Sequence, residues 1–192
     1  IGCSYGWFEK FAIKNECKEI IGIEPEEKLF YEAQREVPKA RFKIGSALKI
    51  NEKNKMFDQV VMFDVIEHIP KNTEMKALKE IRRVLKTGGK LIISTDYDWW
   101  LAKIMDPAWY FGHRHYSKEN LKSMFSKNKF KIEQIEVRGR YFEMIGTILL
   151  YIFKWVFKSE IPFKKFFDAK KDQEFLKNKP GFVTIFVKAT KV

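Results

Sequence analysis

Apolar residues along the chain alternate between short continuous runs and positions spaced three or four residues apart. The continuous runs predict four buried strands, at Glu19–Glu24, Arg41–Ala47, Phe57–Val65 and Leu91–Thr95. Helical spacing predicts helices between them, at Glu26–Val37 and Asn72–Leu85. Two further strands are predicted at Phe130–Val137 and Phe182–Ala189. Strands that alternate with helices are typical of an α/β fold with a doubly wound, mostly parallel sheet.

Two segments depart from this simple alternation. Gly2–Gly6 reads as the turn that follows a first strand, of which only Ile1 is present, so we expect that strand to lie upstream. The segment from about 141 to 180 separates the last two predicted strands and is rich in apolar and basic residues. We therefore expect a single domain over residues 1–192, with an insertion at about 141–180.

The composition excludes several classes of protein for this chain. The chain has 192 residues, of which 45% are hydrophobic and 32% charged, which excludes disordered and low-complexity chains. No apolar run reaches the length of a membrane-spanning helix, and the first residues do not resemble a signal peptide. Two cysteines cannot build a disulfide framework. We expect a reduced, cytoplasmic protein.

The net charge is +12, which could favour nucleic acid or an anionic membrane as a partner. However, 30 of the 37 basic residues are Lys and only 7 are Arg, and they are scattered along the chain. Dispersed Lys is more typical of a solvated surface than of a phosphate-binding site.

Three features in chain order point to nucleoside chemistry. The Gly2–Gly6 turn leads into a helical pattern, whose free amides favour negative charge. Glu24 ends the next strand, where a carboxylate can accept both hydroxyls of a ribose. Phe57–His68 ends the strand expected beside the first one. Ser4 and Trp7 break the glycine pattern that binds dinucleotides, which argues against NAD.

The chain at this point resembles the class I S-adenosylmethionine-dependent methyltransferases. The resemblance covers about residues 1–138 and the final strand, and it is carried by Ile1–Gly6, Gly22–Pro25, Phe57–Val61, Val65–His68 and Leu85–Leu91. It implies a seven-stranded sheet whose last strand is antiparallel. It also implies S-adenosylmethionine as the cofactor and S-adenosylhomocysteine as the product.

The same resemblance implies roles for individual residues. The turn formed by Gly2, Cys3, Ser4 and Gly6 would pass under the methionine part of the cofactor, with Ser4 in place of the family's usual glycine. Glu24 would hold the ribose hydroxyls, and the adenine would lie near Pro25, Ser46 and Ala47. Met62 and Phe63 would line the side of the sulfonium.

The three histidines, His68, His113 and His115, are the candidate catalytic residues. A neutral imidazole can act as a general base near pH 7, although structural and exposed-loop roles are common alternatives. The spacing of Asp64, Glu67 and His68 also resembles that of some metal-assisted O-methyltransferases. The same spacing occurs in relatives with no known metal, so we expect no metal and keep these three residues as the alternative.

We expect the acceptor of the methyl group to be a small or lipophilic molecule. Two alternatives remain, an RNA methyltransferase and an inactive protein that only binds the cofactor. Between Tyr141 and Phe167 a charge-free run, Met144–Phe153, precedes aromatic residues interleaved with Lys154, Lys158, Lys164 and Lys165. This mixture predicts either a helical cover or peripheral contact with an anionic membrane.

Overall fold

The computed structural model describes residues 1–176 and 179–192. Its strands are β1 (Ile21–Glu24), β2 (Arg41–Ile44), β3 (Phe57–Phe63), β4 (Leu85–Asp96), β5 (Phe130–Arg138) and β6 (Thr184–Lys191). Its α-helices are α1 (Trp7–Lys14), α2 (Glu27–Glu36), α3 (Glu74–Val84), α4 (Trp100–Met105), α5 (Lys118–Lys127), α6 (Tyr141–Ile152) and α7 (Lys164–Leu176). A 3-10 helix follows α4 at Pro107–Phe111, and a π-helix follows α6 at Phe153–Phe157.

The strands of the described residues form two sheets rather than the expected single sheet of seven. β1 and β2 pair in parallel, and β3, β4, β6 and β5 form a second sheet in that order. β3 and β4 are parallel, whereas β6 runs antiparallel to both β4 and β5. The α/β class and the antiparallel last strand are therefore confirmed. The expectation of one seven-stranded sheet is not.

The first residues of the chain lie between the two sheets. The amine of Ile1 donates to the carbonyl of Val61 in β3 (2.8 Å), and the amide of Gly2 donates to the carbonyl of Ile23 in β1 (2.7 Å). Ile1 and Gly2 thus link the four-stranded sheet to the β1–β2 pair through single hydrogen bonds.

The main core lies between the four-stranded sheet and helices α3 and α5. Leu91 and Ile93 alternate inward along β4 and are fully buried. The predicted apolar face of α3 packs there, because Leu78 and Ile81 are also fully buried. The helix runs from Glu74 to Val84, slightly shorter than the predicted Asn72–Leu85. β4 begins at once at Leu85 rather than at the predicted Leu91. A register shift between β3 and β4 accommodates the glycines that follow.

The predicted insertion forms two helices between β5 and β6. The side chain of Glu174 in α7 accepts backbone hydrogen bonds from Phe142 (3.0 Å) and Glu143 (3.1 Å) and so caps the first turn of α6. This contact holds the two helices together as a hairpin. No helix in the described part of the chain is long and apolar enough to span a membrane.

Gly22→Ala should destabilise the fold, because there is no room for a methyl group where β1 passes Phe42. A Cβ at this position would lie 2.5 Å from the Phe42 ring and 2.9 Å from the sulfur of Cys3. Such overpacking costs typically about 1–3 kcal/mol. Urea unfolding monitored by circular dichroism measures the loss.

Gly146→Ala is the matched control, because nothing lies within 4 Å of the position of its Cβ in α6. It should leave stability unchanged or raise it by up to about 1 kcal/mol. Equal unfolding free energies for wild type and Gly22→Ala would contradict the packing described here.

Candidate active site

The glycine turn and Glu24 form the first half of the site. Positive φ angles at Gly2 (66°), Ser4 (48°) and Gly6 (82°) curl the chain around the carboxyl end of β1. The amide of Ser4 donates to Oε2 of Glu24 (2.8 Å), and the amide of Glu26 donates to Oε1 (3.2 Å). Each carboxylate oxygen has a second acceptor position. The buried carboxylate can therefore accept two hydroxyl groups while it remains fixed by the backbone.

The glycines of this turn are required by packing against the protein's own side chains. A Cβ at Gly2 would lie 2.3 Å from Val65. A Cβ at Gly6 would lie 3.1 Å from Val37 and 3.2 Å from Phe42. A larger residue at Gly6 would therefore disturb α2 and β2, in addition to any effect on a ligand.

Cys3 contributes backbone, not a reactive thiol, to this turn. Its side chain packs in a small second core with Ala33, Val37 and Phe42. Burial, with nearby Glu9 as a further cause, raises the pKa of Cys3 to about 12. The thiol therefore stays protonated and cannot serve as a nucleophile.

The residues predicted near the adenine lie at the same edge of the sheet. The amide of Gly45 donates to the carbonyl of Glu24 (3.1 Å), so β2 ends beside β1. Pro25 is exposed, Ala47 is buried, and the Ser46 hydroxyl accepts a hydrogen bond from the amide of Leu48 (3.2 Å).

The two residues predicted at the sulfonium side occupy different environments. Met62 is fully buried in the main core, so its side chain packs and does not face an open cleft. Phe63 points the other way and stacks on Trp7, with ring centroids 5.8 Å apart. Trp7 is 46% exposed and lies directly after the glycine turn. Trp7 was not predicted as a site residue, because it fits the apolar pattern of α1.

Two carboxyl groups after β3 are held by hydroxyls of β4. The hydroxyl of Ser94 donates to Asp64 (2.7 Å), and the hydroxyl of Thr95 donates to Glu67 (2.8 Å). Burial, together with the neighbouring Asp64, raises the pKa of Glu67 to about 8. Burial also raises the pKa of Asp64, although its bond to Ser94 opposes the shift.

The three predicted catalytic histidines are brought together, along with two aspartates that the sequence analysis missed. Nε2 of His113 lies 3.2 Å from Nε2 of His68. Nδ1 of His113 lies 3.0 Å from Asp96 and 3.4 Å from Asp106. Nε2 of His115 lies 3.0 Å from the same oxygen of Asp106. Asp96 ends β4, and this position at a strand's carboxyl end is the signal that could have identified it.

Hydrogen bonding sets the charges in this group. Burial disfavours the charged form of His113, but bonds to Asp106 and Asp96 outweigh it and raise the pKa to about 10. Burial disfavours charge on Asp106 too, yet bonds from His113 and His115 hold its pKa well below the usual range. Partial desolvation of the His68 ring, with the neighbouring His113 as a further cause, lowers the pKa of His68.

Only His68 keeps a ring nitrogen without a partner among the described residues. Both nitrogens of His113 are engaged, and His115 bonds to the carbonyl of Tyr97 (3.2 Å) as well as to Asp106. Nδ1 of His68 is bonded to nothing in the described chain, and the residue is exposed. His68 is therefore the histidine of this group whose ring has a nitrogen available, while both nitrogens of His113 and of His115 are held by neighbouring groups.

The three alternative metal ligands predicted from the sequence, Asp64, Glu67 and His68, do not form one group of converging ligand atoms in the described chain. Asp64 falls outside both groups of side chains whose ligand atoms lie within 4.8 Å of one another in the described chain. One group is Glu67, His68 and His113, and the other is Asp96, Asp106, His113 and His115.

The helical hairpin also reaches this part of the molecule. Nζ of Lys171 in α7 lies 3.1 Å from Oε1 of Glu143 in α6. The charge of Lys171 also acts on Asp64, so the ion pair lies near the end of β3. Neither residue was predicted, because only the folded hairpin brings them here.

Residues 1–93 match the family model described as a methyltransferase domain. These residues form a methyltransferase domain of the class I S-adenosylmethionine-dependent type. A search by sequence among curated proteins found no significant match. This methyltransferase uses S-adenosylmethionine as its cofactor, and the acceptor positions left on the Glu24 carboxylate fit a ribose.

Solved structures confirm the fold. An S-adenosylmethionine-dependent methyltransferase from Mesorhizobium loti superposes with a TM-score of 0.65 at 14% identity, covering 99% of this chain and 88% of the other. Geranyl diphosphate methyltransferase, in complex with geranyl diphosphate and sinefungin, gives 0.68 at 13% identity, with coverage of 100% and 69%. The [4+2]-cyclase SpnF gives 0.68 at 17% identity, with coverage of 99% and 72%. At these identities the likeness establishes the Rossmann-like methyltransferase fold alone.

Glu67→Gln should weaken the pH dependence of the methyltransferase's stability. The folded protein holds a proton on Glu67 up to about pH 8, whereas the unfolded chain releases it near 4.5. The stabilisation is therefore complete below pH 4.5 and is lost as the pH rises through about 8. The unfolding free energy falls between pH 5 and pH 9. At about 1.4 kcal/mol per pKa unit, this fall should be smaller in Glu67→Gln than in wild type by roughly 2–4 kcal/mol.

Urea unfolding at several pH values provides the measurement, with the exposed Glu160→Gln as a control that keeps the wild-type profile. Parallel pH profiles for wild type and Glu67→Gln would show that Glu67 has an ordinary pKa.

Proposed function

We propose that this methyltransferase transfers the methyl group of S-adenosylmethionine to a small or lipophilic acceptor at an anionic membrane surface. The observation that carries the proposal is an exposed aromatic surface next to the candidate active site, bordered by lysines. Small-molecule chemistry in the names of structural neighbours, such as geranyl diphosphate methyltransferase, is consistent with it.

The cofactor would be held by the first half of the site. Glu24 would accept the ribose hydroxyls, the backbone of Gly2–Gly6 would pass under the methionine part, and Pro25, Ser46 and Ala47 would flank the adenine. Phe63 and Trp7 would cover the sulfonium side, in a position that buried Met62 does not reach. The bound cofactor supplies an electrophilic methyl group, so the protein's own task is alignment and exclusion of water.

His68 would contact the acceptor through Nδ1, the ring nitrogen without a partner in the described chain. Its Nε2 is fixed by His113 (3.2 Å), which the aspartates fix in turn. His113 and His115 are therefore positioning residues. Because the ring is already fixed in one conformation, it can orient the reacting oxygen or nitrogen without a further loss of conformational entropy.

The aromatic surface consists of large side chains on α4, the 3-10 helix, the π-helix and the turn before α7. Its most exposed members are Trp100 (65%), Tyr110 (64%), Phe111 (76%), Phe157 (60%) and Phe163 (82%). The ring of Phe111 meets that of Trp155 edge-on at 5.2 Å, which joins the segment after β4 to the hairpin. Exposed apolar residues in such number usually mark an interaction surface.

Four lysines accompany these rings. Lys154, Lys158, Lys164 and Lys165 are all exposed, and none forms an ion pair with another described residue. Aromatic rings and lysines together suit the boundary between acyl chains and anionic headgroups, where each Lys contributes about 1 kcal/mol. A lipophilic acceptor could pass from such a surface to the end of β4 without crossing water.

Glu24→Ala should weaken binding of S-adenosylhomocysteine at least tenfold in calorimetry. The substitution removes a charged hydrogen-bonding partner worth about 1.5–3 kcal/mol. His68→Ala is the matched comparison. It should bind S-adenosylhomocysteine as wild type does, yet lose most transfer of labelled methyl groups into a lipid or small-molecule fraction.

Unchanged affinity in Glu24→Ala would remove this residue from the cofactor site. Label that appears only in RNA, or in no fraction, would contradict the proposed acceptor class while leaving the cofactor assignment in place.

Wild-type protein should cosediment with vesicles containing phosphatidylserine at low salt, and binding should weaken as salt is added. Changing Lys154, Lys158, Lys164 and Lys165 together to Glu should release the protein, because it reverses the charge beside the aromatic surface. The control carries the same charge change at four exposed lysines outside these segments, Lys18, Lys28, Lys39 and Lys53.

The control should remain bound more strongly than the first variant. If wild type stays in the supernatant at low salt, or if both variants lose binding equally, the aromatic surface is not a membrane contact.

A further inference from the structure

The segment after β4 folds back on the strand from which it leaves. The amide of Tyr116 donates to the carbonyl of Asp96 (2.9 Å), and the amide of Asp98 donates to the carbonyl of Tyr116 (3.1 Å). These bonds bring His113 and His115 beside Asp96. Asp106 lies between Asp96 and His113 in sequence, immediately before the 3-10 helix.

Four ligand atoms converge there from Asp96, Asp106, His113 and His115, all within 4.8 Å of one another. Three of their separations are 3.0, 3.4 and 3.0 Å. A tetrahedral zinc ion with bonds of about 2.0–2.1 Å places its ligand atoms about 3.3 Å apart. Little movement is therefore needed for the four atoms to surround one ion.

The remaining polar atoms of three of these side chains are anchored elsewhere. Oδ1 of Asp106 accepts from the amide of Ala108 (3.0 Å), which leaves Oδ2 for the histidines. Nδ1 of His115 is bonded to the carbonyl of Tyr97 (3.2 Å), which leaves Nε2. Nε2 of His113 is bonded to His68, which leaves Nδ1. Outer bonds of this kind are typical of metal sites, where they orient each ligand.

We propose that Asp96, Asp106, His113 and His115 bind one zinc ion, which fixes the segment from Asp96 to Tyr116 to the end of β4. Two imidazole nitrogens and two carboxylate oxygens suit zinc, whereas magnesium and calcium prefer oxygen ligands alone. Four protein ligands close the coordination shell, so the ion has a structural role and does not activate water.

The burial of the ligands agrees with a structural site. The side chain of His115 is 3% exposed, and those of Asp106 and His113 are 12% and 15% exposed. The other candidate group, Glu67, His68 and His113, offers three residues and requires the same His113 ring. The set of four is more complete, and its use leaves His68 free to face the acceptor.

The test is calorimetric titration of zinc into the full chain after treatment with a chelator, with thermal unfolding followed in parallel. Wild type should bind one zinc ion per chain and unfold at a higher temperature when zinc is present. His115→Ala and Asp106→Asn should each weaken zinc binding by at least about 100-fold and lose the thermal shift. Asp106→Asn keeps an oxygen for Ala108, so it remains informative where His115→Ala fails to fold.

Two controls separate this site from its neighbours. Asp98→Asn changes an aspartate of the same segment that pairs with Lys103, and it should bind zinc as wild type does. His68→Ala removes only an outer partner of His113, so it should still bind one zinc ion per chain, about tenfold more weakly. Complete loss of zinc in His68→Ala would assign the ion to the group of three and overturn the proposal. Absence of stoichiometric zinc binding in wild type, or unchanged binding in Asp106→Asn, would overturn it as well. Binding of S-adenosylhomocysteine, measured separately, reports on the proposed function independently.

Discussion

The parallel pairing of β3 with β4 determines the geometry of the candidate active site. Its register sets Phe63 opposite Ser94, so the residues that follow β3 must lie beside the end of β4. The amide of Asp64 then donates to the carbonyl of Ser94 (3.1 Å), and the hydroxyls of Ser94 and Thr95 reach Asp64 and Glu67. A slip of one residue would turn these side chains to the other face of the sheet.

This arrangement concentrates carboxyl groups in a protein that is strongly basic overall. Asp64, Glu67 and Asp96 lie close together at the edge of the sheet, although the chain carries a net charge of +12. The basic side chains that act on this group, among the described residues, include His113, Arg114 and Lys171. The local field therefore depends on the two elements that supply them, the segment after β4 and the hairpin, and not on the dispersed surface lysines.

The sequence was informative where chemistry and local pattern coincide. The position of Glu24 beside the glycine turn could be predicted, because a strand end, a glycine turn and an acidic residue occur within one short stretch. The apolar face of α3 could be predicted because its period is regular. By contrast, Met62 and Phe63 were assigned to one side of the site, although neighbours on a strand face opposite sides and the structure places these two side chains in different environments.

Other parts of the site depend on tertiary contacts that no local pattern records. Asp106 lies ten residues after Asp96 and reaches it only because Tyr116 pairs back onto the strand end. Glu143 and Lys171 are 28 positions apart and meet only when α6 and α7 fold together. The two separate sheets also could not be foreseen, because strand patterns predict strands and not which of them are joined.

The bond between Glu174 and the first turn of α6 has a consequence for how the hairpin can move. One carboxylate in α7 accepts hydrogen bonds from the amides of Arg140 (3.2 Å), Phe142 and Glu143, which no helical carbonyl satisfies. Separating the helices would expose this carboxylate and three amides while also breaking the pair of Lys171 with Glu143. The two helices therefore fray together or not at all, and any access route beneath them opens by displacement of the whole hairpin rather than by melting of one helix.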